Sequence, residues 1–290
     1  MANSLIPLRS GKVSADRLKN CEKLTLEAFA LRNIPKRLTL LKFHHGCYEF
    51  DFLWSPKASS SRLFVIFSGD ALRKRNNPPV FQRWSWAEYF TGHCLYVSDP
   101  ALHLSTRLGL GWYSGTRDCD FLKLISVFVD GLSAGLNISP TNVYSYGSSG
   151  GGFAALRLMH TLPRANAIVI NPQTSICRFE FSSVERYLKV CYGIASREQA
   201  QKNFPERLDL TAFPQFLSGR KIMFVQNKLD PHHYDSHYVP LCKAMQVEAM
   251  HDPDNPVFSQ VHFEHEGGHR KAETAEIFGN LMQRIENGEF

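Results

Sequence analysis

No two of the seven cysteines in this 290-residue chain are spaced as a CxxC pair. Their odd number and wide spacing (Cys21, Cys47, Cys94, Cys119, Cys177, Cys191 and Cys242) argue against a disulfide framework or a zinc site. No apolar run is long enough to span a bilayer, and Met1-Ala2-Asn3-Ser4-Leu5-Ile6-Pro7 lacks the uninterrupted apolar core of a secretion signal. A cytoplasmic protein without a membrane span is the simplest expectation. Internal repeats and low-complexity linkers are also missing, which leaves a single domain over 1–290 as the expected organisation. Charged residues make up 21% and apolar residues 43%, a globular profile rather than a disordered one. The formal charge of +6 favours an acidic partner or substrate, but the basic residues are scattered. The densest cluster is Arg73-Lys74-Arg75, and no nucleic-acid partner is indicated.

What the chain does contain is an alternation of short apolar runs with longer amphipathic ones. Arg37 to Phe43 and Tyr48 to Trp54 read as an antiparallel hairpin around His44-His45-Gly46-Cys47. Leu63-Phe64-Val65-Ile66-Phe67 is continuously apolar, as a strand covered on both faces requires. The pattern returns at Cys94 to Val97, Val143 to Tyr146, Ala167 to Ile170, Ile222 to Val225 and Gln260 to Glu264. Helices are expected at Trp84 to Phe90, Cys119 to Leu136, Gly151 to His160, Tyr238 to Met250 and Lys271 to Glu286, with a further amphipathic helix over Ala15 to Leu31. Strand followed by helix, several times over, implies an α/β fold: a mostly parallel central sheet with helices on both faces and an antiparallel N-terminal hairpin. The segment 175–213 breaks this rhythm and reads as a cap-like insertion above the carboxyl edge of the sheet, where open α/β sheets bind ligands.

The chemically informative stretch is Val143-Tyr144-Ser145-Tyr146-Gly147-Ser148-Ser149-Gly150-Gly151-Gly152-Phe153-Ala154-Ala155-Leu156: an apolar strand, a glycine-rich turn, a helix. A nucleophile elbow needs small residues two before and two after its serine, because side chains there would collide with neighbouring backbone. Gly147 and Gly151 satisfy this for Ser149, whereas Ser148 would have Tyr146 two before it. The loop also loosely fits a dinucleotide fingerprint, but the next strand ends in Asn171-Pro172-Gln173 with no acidic residue for a ribose. No Gly-Lys-Ser or Gly-Lys-Thr follows for a nucleoside triphosphate.

A serine nucleophile needs a base and a group to orient it. The strand Ile222 to Val225 ends in Asp230, and the strand around Val261 is followed by Gly267-Gly268-His269. Ser149, Asp230 and His269 then follow the chain order of α/β-hydrolase triads, with His269 as general base and Asp230 holding its tautomer. Asp235 is the rival acid. His265 is the rival base, placed by the pattern inside the last strand. His232, His233 and His237 with Asp235 sit in a loop without a matching distant ligand set, so no metal is expected. The oxyanion would be held by the backbone amides of Gly150 and of Gly69 or Asp70, Gly69 permitting close approach. Arg73, Arg75, Arg83, Trp112 and Tyr113 lie on loops at the same edge and are candidates for substrate binding. Aromatic faces flanked by cations suit sugars bearing phosphate or carboxylate.

The elbow, the late Asp and the Gly-Gly-His ending make the span from about Arg37 to the C-terminus resemble the α/β-hydrolase superfamily. Within it, Phe67-Ser68-Gly69, Tyr146-Gly147-Ser148-Ser149-Gly150-Gly151 and Asn171-Pro172-Gln173-Thr174 are similar to bacterial capsule-polysaccharide O-acetyltransferases, and to related proteins of accessory secretion systems. That resemblance implies acetyl transfer from acetyl-CoA through an acetyl-Ser149 intermediate to a carbohydrate hydroxyl, with no bound cofactor. The alternatives are an esterase or thioesterase that admits water, and a non-catalytic glycan-binding or secretion-accessory protein.

Overall fold

A computed structural model of the chain describes residues 13–14, 18, 21–27, 33–271 and 273–290. Nine strands form one sheet: β1 (Glu22–Leu26), β2 (Thr39–His45), β3 (Tyr48–Ser55), β4 (Leu63–Phe67), β5 (His93–Val97), β6 (Val143–Ser149), β7 (Asn166–Pro172), β8 (Ile222–Asn227) and β9 (Phe258–Phe263). Their order across the sheet is β9-β8-β7-β6-β4-β5-β3-β2-β1. β3 runs antiparallel to both β2 and β5, and every other neighbouring pair is parallel. Parallel strands cannot be joined by tight hairpins, so helical crossovers must pass over the faces, which is why these strands are apolar on both sides.

Alternation along β4 shows how the two cores are built. Leu63, Val65 and Phe67 point into a core that also takes Ile125, Phe128 and Val129 of α1 (Phe121–Gly135) and Leu156 of α2 (Gly150–Leu158). Phe64 and Ile66 face the other side, against Phe278, Leu281 and Ile285 of the C-terminal helix α6 (Ala275–Glu286). Asp120 caps α1 by accepting from the Lys123 amide at 3.3 Å, and it also receives Arg157 Nη1 of α2 at 3.0 Å, tying the two helices together. Thr274 caps α6 through the Ile277 amide.

Between β7 and β8 the chain passes through α3 (Phe181–Tyr187), a π turn at Leu188–Tyr192 and α4 (Arg197–Asn203). Val184, Tyr187, Leu188 and Tyr192 are buried in the same core as α1. α5 (Val239–Met245) lies between β8 and β9.

Two local expectations are corrected. Glu22–Leu26 is an edge strand rather than part of a helix, and it pairs with β2, so four of its five residues remain exposed beside a single neighbour; most of the rest of 15–31 lies outside the described residues. The segment from Trp84 to Phe90 forms only a short 3-10 turn, Trp84–Trp86, because its aromatic side chains pack down onto the sheet face: Phe90 lies against Phe64, Tyr146 and Phe278.

Candidate active site

β6 delivers Ser149 to the carboxyl edge of the sheet, and α2 begins at the next residue. Ser149 has φ 55° and ψ −125°, a backbone region that L-residues rarely occupy. The turn tolerates no side chain on either flank. A Cβ on Gly147 would lie 2.3 Å from the Gly151 carbonyl oxygen, and one on Gly151 would lie 2.5 Å from the carbonyl oxygen of Phe67. The glycine frame read from the sequence is therefore a steric requirement, and its effect is to hold the Ser149 side chain off the strand. Ser148 is turned elsewhere, accepting from Arg83 Nη2 at 2.6 Å.

Asp230 and His269 meet on the loops after β8 and β9. His269 Nδ1 donates to Asp230 Oδ2 at 3.0 Å. The same oxygen accepts from Asn171 Nδ2 at 3.1 Å, and the other accepts from His233 Nδ1 at 3.2 Å and from the His233 amide at 3.4 Å. Burial by itself would raise the Asp230 carboxyl, but hydrogen bonds from His233 and His269 outweigh it and hold the group below the ordinary carboxylate range. With Nδ1 turned to Asp230, His269 keeps Nε2 for the cleft. His233 stacks on it, ring centroids 4.0 Å apart and planes 10° from parallel; burial pushes His233 below the usual imidazole range, so it stays neutral.

Asp230, His233 and His269 each offer an atom within 4.8 Å of the others, a spacing that would also suit a cation. The carboxylate already has four donors directed at it. His237, which burial lowers to about 2, accepts from the Thr174 amide through Nδ1 at 3.2 Å. The rival acid Asp235 faces a different hollow with Arg178 and Lys243. The rival base His265 lies beyond the end of β9, and its Nδ1 accepts from the Gly267 amide.

Strand-end carboxamides hold these loops. Asn227 Nδ2 donates to the carbonyls of His265 and Gly268, its Oδ1 accepts from the His265 amide, and its own amide donates to Asn171 Oδ1 at 2.7 Å. Gln173 donates through Nε2 to Ser149 Oγ at 3.2 Å while its Oε1 accepts from the Trp112 indole. Among the described residues no hydrogen bond joins Ser149 directly to His269; both side chains line one cleft of about 1240 Å³.

The loop expected to hold the oxyanion differs from that expectation in one respect. The Gly69 amide donates to Gln82 Oε1 at 3.1 Å, and Gln82 Nε2 donates to the Asp70 carbonyl at 3.0 Å, so one carboxamide closes on both residues. A Cβ on Gly69 would make only ordinary contact, 3.5 Å from the Ser148 carbonyl oxygen, so close approach does not require glycine there. The Gly150 amide stands at the first turn of α2, next to Ser149.

Of the five substrate-binding candidates, Arg73 and Arg75 line the cleft. The other three are corrected, because all are buried beneath it. Arg83 donates from Nε to both Glu273 oxygens, at 2.9 and 2.8 Å. Trp112 is fully buried and locked to Gln173. The Tyr113 hydroxyl accepts from the Ser68 amide at 2.7 Å and donates to the Val97 carbonyl at 3.0 Å, tying the loop after β4 to the end of β5. Lys74, Arg107 and Arg186 line the cleft instead. Asp70 lines the cleft with these five cations. Gln82, Asn227 and Glu273 have no place in the sequence reading, and Asn171, Gln173 and His233 appear there without these partners. The one available signal was a polar amide ending an otherwise apolar strand, as at Asn171 and Asn227.

No family model and no curated protein matches the chain. Solved structures do. A capsule O-acetyltransferase of Neisseria meningitidis serogroup A superposes with a TM-score of 0.58 at 17% identity, covering 88% of this chain and 98% of that one. A further structure of that enzyme is a complex with CoA. The glycosylation-associated Gap123 complex of Streptococcus agalactiae gives 0.62 at 17% identity over 86% of this chain and 46% of that one. An esterase/lipase from an uncultured bacterium gives 0.54 at 11% identity over 90% and 87%. Strand order, the antiparallel β3, the strained turn at Ser149 and these superpositions agree: the chain has the α/β-hydrolase fold.

Proposed function

We propose that the chain is a serine acyltransferase or esterase whose favoured reaction is O-acetyl transfer from acetyl-CoA to a carbohydrate hydroxyl. The observation that carries this reading is the His269–Asp230 hydrogen bond of 3.0 Å on the same cleft as a serine held at φ 55°. His269 Nε2 takes the Ser149 proton as Oγ attacks the acyl carbon, and Asp230 stabilises the imidazolium that results. The Gly150 amide and the loop at Gly69 and Asp70 receive the oxyanion, Gln82 giving way as the carbonyl enters. His269 then protonates the departing thiolate and later takes a proton from the acceptor hydroxyl. Segment 175–213 serves as the cap, supplying Phe179, Ser183 and Arg186 to the cleft wall. The five cations suit a phosphate- or carboxylate-bearing ligand.

The test is thiol release from acetyl-CoA with and without acetyl-free capsular polysaccharide. Release that depends on the polysaccharide, with acetyl appearing on it, supports transfer. Release that ignores the polysaccharide supports a thioesterase or esterase, and no release by either route removes the acetyl-CoA reading.

A further inference from the structure

We infer that Gln173 is a catalytic residue, a carboxamide donor to the nucleophile oxygen itself, set by Trp112. The inference rests on Ser149 being the nucleophile. Gln173 is fully buried, and its backbone amide donates to the Ser149 carbonyl at 3.0 Å while its side-chain Nε2 lies 3.2 Å from Ser149 Oγ. A carboxamide can point either end at a hydroxyl, and here the indole decides. Indole nitrogen only donates, so the Gln173 oxygen must face Trp112 and the NH₂ must face Ser149. Trp112 cannot swing away, because it is fully buried with its ring centroid 5.2 Å from Tyr187 and 6.0 Å from Phe179.

A serine that accepts from Gln173 has its own proton left to donate, and in the proposed reaction that proton goes to His269, which lines the same cleft. As the Oγ–H bond breaks and the proton passes to His269 Nε2, charge grows on Oγ, and the bond from Gln173 becomes charge-assisted just as the new Oγ–C bond forms. In deacylation the Oγ–C bond breaks, the electron pair returns to Oγ, and the same N–H holds that charge until His269 returns the proton. Gln173 thus acts on both halves of the reaction without touching the acyl group.

The experiment measures the rate of covalent labelling by a fluorophosphonate, which reports the reactivity of Ser149 without needing the natural donor or acceptor. Q173M, which keeps the bulk of the side chain and removes the donor, is expected to label about 10- to 100-fold more slowly while still melting cooperatively, its melting temperature lowered by only the few degrees that the orphaned Trp112 N–H costs. W112F frees the carboxamide to turn, giving a smaller loss, and the W112F/Q173M double variant should label no more slowly than Q173M alone. Labelling of Q173M at the rate of the unaltered protein overturns the inference, as do losses that multiply in the double variant. If Q173M loses its cooperative melt, W112F decides alone, and a rate within about twofold of the unaltered protein counts against the relay. Absence of labelling in the unaltered protein, or equal labelling of S149A, removes the serine reading instead, so the two failures are distinguishable.

Discussion

Asp230 holds two imidazoles on one carboxylate, and only one of them, His269, reaches the cleft. Asp230→Asn keeps the shape but allows the wrong tautomer of His269, so fluorophosphonate labelling should slow by about 10³- to 10⁴-fold while the fold survives. Other buried imidazoles govern stability. Burial lowers His160 to about 4 and His237 to about 2, and lowers His233 as well. Each binds its proton more weakly in the fold than in the unfolded chain, so between the folded value and about pH 6.5 the unfolded state holds more protons and stability falls as pH falls. Asp99 runs the other way: burial pushes it up to about 6, and the fold keeps its proton where the unfolded chain has lost it. Three imidazoles outweigh one carboxyl, so thermal melts should drop from pH 7 to pH 5, and His160→Gln should flatten that slope. A melting temperature that rises on acidification would contradict this. The glycine frame of Ser149 and the strand-end positions of Asp230 and His269 are legible in the sequence because each rests on a local pattern. Gln173 and Glu273 are not, because a neutral amide or an ordinary surface-type carboxylate acquires meaning only when loops distant in sequence close on it.

At the scale of elements, the turn between β6 and α2 is fixed by backbone contact rather than by side-chain packing. Gly147→Ala must push a methyl group into the Gly151 carbonyl, costing about 3 kcal/mol and lowering the melting temperature by about 5–10 °C, whereas Gly69→Ala meets only ordinary contacts and should be neutral within about 0.5 kcal/mol. Equal effects from the two would refute the steric argument. Arg83 and Glu273 join three elements: the loop after β4, the elbow through Ser148, and the segment leading from His269 into α6, with the Tyr146 hydroxyl also donating to Glu273. Both charges are almost fully buried. Removing one partner orphans the other, so Arg83→Met should cost about 3–5 kcal/mol in chemical denaturation, and R83M/E273Q should recover part of it. This also shows why Arg83 reads from sequence as a substrate ligand. Basic residues in a loop at the sheet edge are usually solvated, and only the fold reveals a carboxylate waiting beneath. The continuous apolar runs of the parallel strands are easier to read, while the helix expected over 15–31 fails at Glu22–Leu26 because sheet-edge pairing prevails over an amphipathic pattern there.

On the scale of the whole molecule, the cleft that holds Ser149 is lined by five cations and one acid, Asp70. Arg73, Lys74, Arg75, Arg107 and Arg186 surround the mouth of the Ser149 cleft, so an anionic ligand is drawn to it and held in a salt-dependent way. Arg107→Ser and Arg75→Ser should each raise KM for a polyanionic acceptor by about tenfold while leaving the rate of labelling by a neutral fluorophosphonate unchanged, and the KM difference should shrink as ionic strength rises. A change in labelling rate as large as that in KM would place these arginines in the chemistry instead of at the mouth. All of this depends on Ser149 being a nucleophile. The most direct test is peptide mass analysis after fluorophosphonate treatment of the unaltered protein and of S149A, the latter with its melting temperature checked. A single adduct on the Ser149 peptide that is lost in S149A is the predicted result; no adduct, or an adduct that persists in S149A, would contradict the account.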